Sequence, residues 1–142
     1  MRPLKQLIES KPSLVSVGPD DSVLTALTLL AQHEIGALLV LEQGRLVGIF
    51  SERDYARKII LKGKASKDTL VREIMSEKVS CVTLDQTVEE CMALMTDKHV
   101  RHLPVLGANQ EVIGVLSIGD LVKETISEQK FTIEQLVSYI QN

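Results

Sequence analysis

The sequence predicts an α/β (α+β) chain in which one β-α-β-β-α unit is used twice, with an added helix at each end. The first observation behind this is a repeated element. Gly48-Ile49-Phe50-Ser51-Glu52-Arg53-Asp54 is answered by Gly114-Val115-Leu116-Ser117-Ile118-Gly119-Asp120. The second is that Val17, Asp20, Val23, Leu29, Leu38 and Val40 recur as Val82, Asp85, Val88, Leu94, Leu103 and Val105. The separation is 65 residues up to Val40 and Val105 and 66 from Gly48 and Gly114 onward. One extra residue therefore belongs to the second copy's turn, among Gly107-Ala108-Asn109-Gln110. The repeats cover 8–65 and 75–130, and 131–142 adds a C-terminal amphipathic helix. A unit this small buries its apolar surface poorly alone, so the two copies are expected to pack with pseudo-twofold symmetry into one module. The crevice between similar halves is where a ligand is expected.

The elements follow from local pattern. Leu4, Leu7 and Ile8 share one face of a short opening helix, which Pro12 stops. Val15 and Val17 alternate with serines as a strand, and Gly18-Pro19-Asp20 turns it. Ser22 caps a helix that turns Val23, Ala26, Leu27, Leu30 and Ala31 toward a core. Ala37-Leu38-Leu39-Val40-Leu41 reads as a buried strand, Glu42-Gln43-Gly44-Arg45 as a hairpin turn, and Leu46 to Phe50 as its return. Ser51 starts a helix through Tyr55, Ala56, Ile59 and Ile60. Lys62 to Asp68 is a solvated connector. A helical turn over Leu70, Val71, Ile74 and Met75 opens the second series. Strands near Val79–Thr83, His102–Leu106 and Val112–Leu116 follow, with helices from Thr87 and Ser117. Phe131, Ile133, Leu136, Val137 and Ile140 form the face of the last helix.

Composition narrows the function classes. A net charge of −3 over 142 residues argues against a protein built to grip nucleic acid. With 3% aromatic residues there is little material for stacking bases. No apolar run approaches the ~20 residues of a membrane span, and the start does not resemble a signal peptide. Cys81 and Cys91 lack metal-ligand spacing and suggest no disulfide framework. Cys91 reads as a small core residue. The expected location is the cytoplasm, with neither a nucleic acid nor a membrane as partner. No nucleophile-base set, catalytic carboxylate pair or metal motif is present, so the chain reads as a non-enzyme with no catalytic cofactor.

The chemistry of interest lies in the repeated Ser-x-x-Asp at each strand exit. Its plain reading is a helix cap, the device also expected at Thr87-Val88-Glu89-Glu90 and Thr132-Ile133-Glu134-Gln135. Beside that stands a ligand reading. Glycine and two apolar residues precede both copies, and aspartate, shorter than glutamate, is expected to point outward from the helix. Free helix N–H groups and a hydroxyl suit phosphate, while a carboxylate accepts bonds from two vicinal hydroxyls. Together they match a ribose phosphate.

This tandem arrangement resembles a pair of CBS domains, the Bateman module named after cystathionine β-synthase, over nearly the whole chain. The run Ser51-Glu52-Arg53-Asp54-Tyr55-Ala56-Arg57 is similar to small stand-alone bacterial members. The resemblance implies adenosyl-nucleotide sites in which Asp54 and Asp120 hold ribose hydroxyls, with Ser51 and Ser117 near phosphate. It implies that Leu14, Val15 and Ser16, and in the second copy Val79, Ser80 and Cys81, flank adenine. Arg101 and His102, aligned with Gly36 and Ala37, become phosphate candidates, and so does Arg53, whose counterpart is Gly119. AMP, ATP and NAD or NADH are the implied ligands. A homodimer through the CBS faces and a regulated protein, not identified by the sequence, are the implied partners. The function implied is nucleotide sensing passed to that partner. The alternative is a structural or oligomerisation adaptor without a physiological nucleotide.

Overall fold

The computed structural model describes residues 1–11 and 14–141. Pro12, expected to stop the opening helix, lies outside the described residues. The chain divides into two compact units: Ser13–Val79, and Met1–Pro12 joined with Ser80–Asn142.

The Ser13–Val79 unit is built on a three-stranded sheet in the order β1-β2-β3, from β1 (Ser16–Val17), β2 (Ala37–Glu42) and β3 (Arg45–Ser51). β1 runs parallel to β2, which pairs antiparallel with β3 from Ala37/Ser51 to Glu42/Arg45. The hairpin turns on Gln43 and Gly44, both at positive φ (51° and 80°). A two-residue turn of that hand matches strand twist, and glycine tolerates it without cost. Between β1 and β2 lies α2 (Val23–His33). Its first turn is capped by Ser22, whose hydroxyl accepts from the Thr25 amide. Val23, Ala26 and Leu30 pack from α2 against Val17, Leu38, Val40 and Phe50. Ala31, expected on that face, is exposed. After β3, the α3 turn (Glu52–Tyr55) continues as a π-helical turn over Ala56–Ile60. On that turn Ile59 is in the core and Ile60 is exposed. The short α4 (Val71–Ile74) closes the unit with Val71 and Ile74 buried.

The second unit repeats the plan. β4 (Val82–Thr83), β5 (His102–Leu106) and β6 (Val112–Ser117) form a three-stranded sheet in the order β4-β5-β6, parallel then antiparallel. Four residues separate Leu41 from its partner Leu46, and five separate Leu106 from Val112, so the extra residue sits in the second turn as expected. Both hairpins shift register at the equivalent place, Val40/Leu41 and Val105/Leu106. α5 (Val88–Lys98) starts with the expected box, Thr87 Oγ1 accepting from the Glu90 amide and Glu90 Oε1 from the Thr87 amide. Val88, Cys91 and Met95 face Val82, Leu103, Val105 and Leu116.

The opening helix α1 (Leu4–Glu9) belongs to this second unit, although it precedes the first repeat. Leu4 and Leu7 join the core of Leu103 and Leu116. A Cβ on Gly114 would lie 2.5 Å from Ile8 Cγ2, so glycine is what lets α1 lie on β6. Gly48 does the same for the segment that precedes the second repeat. A Cβ there would meet Met75 Sδ at 2.7 Å and the Ser76 carbonyl at 3.0 Å. Each unit thus takes its extra helix from the sequence leading into the opposite repeat.

The C-terminal end departs from expectation. The closing helix of the second repeat and the separate helix over 131–142 are a single α6 (Ile118–Gln141) of 24 residues. Thr132, expected to cap a new start, lies inside α6 and donates its hydroxyl to the Glu128 carbonyl instead. Nothing between Ser127 and Thr132 breaks a helix, because neither proline nor glycine occurs there. The first strand of each unit is also shorter than expected. Val79, Ser80 and Cys81 precede β4 rather than form part of it.

Candidate functional site

Each unit brings the end of one strand, the start of its neighbour and a helix N-terminus to one edge. In the Ser13–Val79 unit, Ala37 pairs with Ser51, and the Glu52 amide donates to the Gly36 carbonyl at 3.1 Å. Because β1 is parallel to β2, the chain enters β1 through Leu14 and Val15 from this same end. Leu14 is exposed, Val15 is half-buried, and Ser16 pairs with Leu39.

At that edge Ser51 is an extended residue (φ −127°, ψ 164°) whose hydroxyl accepts from the Asp54 amide at 3.2 Å. Asp54 answers it. Its Oδ2 accepts the Ser51 amide at 3.0 Å and the Ser51 hydroxyl at 3.1 Å. Oδ1 accepts from Ser76 Oγ at 3.3 Å and lies 3.5 Å from Lys58 Nζ. Asp54 is 9% exposed. The expectation that this carboxylate points outward is therefore corrected: it folds back as the third residue of a capping box. The reason is local. A strand that runs straight into a helix leaves the N-cap amide unpaired, and a carboxylate three residues on is within reach of it. Arg53 is half-buried on the same turn.

The second unit uses the same device with different neighbours. Ser117 Oγ accepts from the Asp120 amide at 3.1 Å, and Asp120 Oδ2 accepts from the Ser117 amide at 2.8 Å. Here too the outward carboxylate is corrected to a cap. Yet Asp120 keeps 29% of its side chain exposed, and its described bonds all end on Oδ2. One comes from Lys11 Nζ at 2.5 Å, which also donates to the Val115 carbonyl at 2.7 Å. Burial pushes the Asp120 carboxyl upward, but the Lys11 bond, the Ser117 amide and the lysine charge outweigh it and hold it below the ordinary range.

Arg101 and His102 take the places of Gly36 and Ala37, as the repeat alignment expects. His102 pairs with Ser117, and the Ile118 amide donates to the Arg101 carbonyl at 2.9 Å. Arg101 is exposed and His102 half-buried. Burial pushes the imidazole below its usual value; Lys11 and Arg101 push the same way, while Asp120 opposes them. Ser80 and Cys81 approach this end because β4 runs parallel to β5, whereas Val79 is the last residue of the other unit. Burial raises the Cys81 and Cys91 thiols, which disfavours the thiolate and any nucleophilic use. One edge therefore gathers Lys11, Arg101, His102, Ser117 and Asp120: two cations, a titratable imidazole, a hydroxyl and a carboxylate.

Sequence reasoning missed three of these contacts. Lys58 stands four residues after Asp54, a spacing that helical geometry makes legible. Lys11 and Ser76 stand at the start of the repeat opposite to the one whose aspartate they touch, and no local pattern signals that crossing.

Among the described residues no cluster of three or more His, Cys, Asp or Glu could hold a metal ion, and no helix is long and apolar enough to cross a membrane.

The chain matches the CBS domain over residues 5–61 and again over 71–127. It belongs to the CBS domain family. The mitochondrial CBS domain-containing protein CBSX3 of Arabidopsis thaliana is 44% identical over 127 residues, covering 86% of this chain and 61% of its own length. A solved CBS-domain protein of signal-transduction type from Burkholderia ambifaria MC40-6 is 45% identical, with a TM-score of 0.85, over 90% of this chain and 96% of its own. That CBS-domain protein stands alone, without a catalytic domain. The CBS domain pair of protein MJ0100, solved with 5′-methylthioadenosine and S-adenosyl-L-methionine, is 25% identical with a TM-score of 0.77 over 87% of this chain and 99% of its own. The chain thus carries a pair of CBS domains. It spans about three fifths of the length of CBSX3.

Proposed function

We propose that the chain is a regulatory module that binds an adenosyl nucleotide, AMP, ATP or NAD(H), and passes its occupancy to a partner protein. The observation that carries this reading is the edge around Asp120. A half-exposed carboxylate with its described bonds on one oxygen can accept ribose hydroxyls on the other. Arg101 offers a guanidinium fork for phosphate oxygens, and Lys11 and His102 stand next to it. Adenine would lie against Val79, Ser80 and Cys81. In the other unit the same roles fall to Asp54, Ser51, Arg53, Leu14, Val15 and Ser16. That site is the weaker one, because Asp54 is buried and both of its oxygens are engaged. The adenosyl compounds bound by MJ0100 support the ligand class. A cytoplasmic location and a homodimer through the CBS faces belong to the same reading.

Sensing requires that the ligand bind two arrangements of the module unequally, since equal affinity shifts nothing. Titration calorimetry with AMP, ATP and NADH tests the assignment. A hydrogen bond to a charged group contributes about 1.5–3 kcal/mol, so Asp120→Ala is expected to weaken binding roughly tenfold to a hundredfold. Asp54→Ala should have the smaller effect. Unchanged binding of all three nucleotides in both variants rejects the ribose assignment. Absence of any binding or thermal stabilisation in the native chain favours the adaptor reading.

A further inference from the structure

Lys11 and Ser76 lie 65 residues apart, the offset of the repeat, and they hold equivalent places. Each reaches the capping aspartate of the opposite repeat. Ser76 Oγ donates to Asp54 Oδ1 at 3.3 Å, and Lys11 Nζ donates to Asp120 Oδ2 at 2.5 Å. One place therefore brings a neutral hydroxyl and the other a full positive charge. The cap does not need that charge, because Ser76 fills the equivalent place without it. The lysine is nonetheless held firmly. Leu4 and Leu7 fix the helix before it in the core, Ile8 rests on Gly114, and the Lys11 amide donates to the Ile8 carbonyl at 3.0 Å. The described bonds of Nζ use two donors, on Asp120 and on the Val115 carbonyl 2.7 Å away, and an ammonium has a third. With 31% of its side chain exposed, Lys11 is within reach of a ligand.

The charge at this edge is uneven. Lys11 and Arg101 both act on His102 as cations, and Asp120 is the carboxylate that opposes them. The edge is thus net positive before a ligand arrives. Arg101 is exposed and screened by water, whereas the half-buried Lys11 acts where screening is weaker. A phosphate monoester brings about −1.5 to −2 charges near neutral pH and offsets the excess. A plain nucleoside brings none, and a sulfonium adds to it. We propose that Lys11 is the specificity-determining residue of the Asp120 edge, making it select a phosphorylated adenosyl ligand over a neutral or sulfonium one. The proposal rests on the adenosyl-nucleotide reading of this edge and names what chooses among such ligands. The same bond serves both ends of the ligand. It leaves Asp120 Oδ1 for ribose hydroxyls and keeps a cation beside them for phosphate.

Titration calorimetry with AMP, adenosine and S-adenosylmethionine tests this. The native chain should bind AMP at least about tenfold more tightly than adenosine, and S-adenosylmethionine no more tightly than adenosine. Lys11→Met should weaken AMP roughly tenfold to a hundredfold and leave adenosine unchanged, and Lys11→Arg should restore the preference. Adenosine is the control for a merely structural role, since a displaced α1 would weaken both ligands alike. Equal loss of AMP and adenosine in Lys11→Met therefore overturns the proposal. AMP binding that ignores the substitution overturns it too, while leaving the nucleotide reading intact. A native chain that binds S-adenosylmethionine as tightly as AMP does the same. A native chain that binds none of the three overturns the nucleotide reading and this proposal with it.

Discussion

Asp120 has more to hold than a helix cap needs. Its carboxylate closes the Ser117 turn and also anchors Lys11, and that lysine stands close enough to help depress His102. For His102 the folded state binds protons less readily than the unfolded chain. Its stabilising contribution is therefore full above the ordinary imidazole value of 6.5 and fades as pH falls through it toward the lower folded value. Lys11→Met removes one of the causes while burial and Arg101 remain. The His102 ring protons, followed by NMR, should then titrate at higher pH than in the native chain, though still below the ordinary value. An unmoved titration would mean that Lys11 and His102 do not share a field. The serine and aspartate of each cap were legible in sequence, since Ser-x-x-Asp at a strand exit is a known capping pattern. Their carboxylate direction was not. Aspartate is shorter than glutamate, but a straight strand-to-helix transition places the N-cap amide within its reach.

At the level of elements, the glycines before each cap matter through what rests on them. Gly48 lies under Met75 and the Ser76 carbonyl, and the Ile49 and Ser76 backbones pair at 3.0 and 2.9 Å. Gly48→Ala would force the methyl against main-chain oxygen that is itself held in place. Overpacking of this kind costs about 1–3 kcal/mol, read as a lower midpoint in denaturant unfolding. A midpoint equal to that of the native chain would show that α4 can shift aside. The strands and helices of both units were readable from periodicity, and the longer second hairpin from the change of repeat offset. The continuity of α6 was misread, because Thr132-Ile133-Glu134-Gln135 has the composition of a helix start. Only the lack of any breaker before it argued otherwise. Where α1 and α4 dock was hidden for a different reason: an amphipathic stripe says that a helix must cover something, and not which sheet.

For the molecule as a whole, α1 is pinned to the second unit by charge as well as by Leu4 and Leu7. Glu124 is 4% exposed and accepts the Arg2 amide at 2.7 Å and Arg2 Nε at 2.9 Å. The Arg2 amide is the main cause that holds this carboxyl below its ordinary value of 4.5; burial opposes it and the guanidinium adds to it. A carboxyl depressed on folding stabilises above its ordinary range and loses that contribution as pH falls through the folded value. Hydrogen exchange in α1 should accelerate selectively once pH falls below the ordinary carboxyl value of 4.5, while α2 stays protected. In Glu124→Gln that acid step should be missing. Simultaneous loosening of α1 and α2 in the native chain would show that the whole protein, rather than this contact, yields to acid.

The crossing of α1 and α4 also constrains how such a chain could have arisen. A lone ancestral repeat would carry a helix fitted to a sheet it does not own, and a sheet missing its cover. Two such polypeptides could satisfy one another only by trading those helices. Gene fusion through 62–68 would then have frozen a domain-swapped pair into one polypeptide, so that halves expressed separately should regain structure only when mixed.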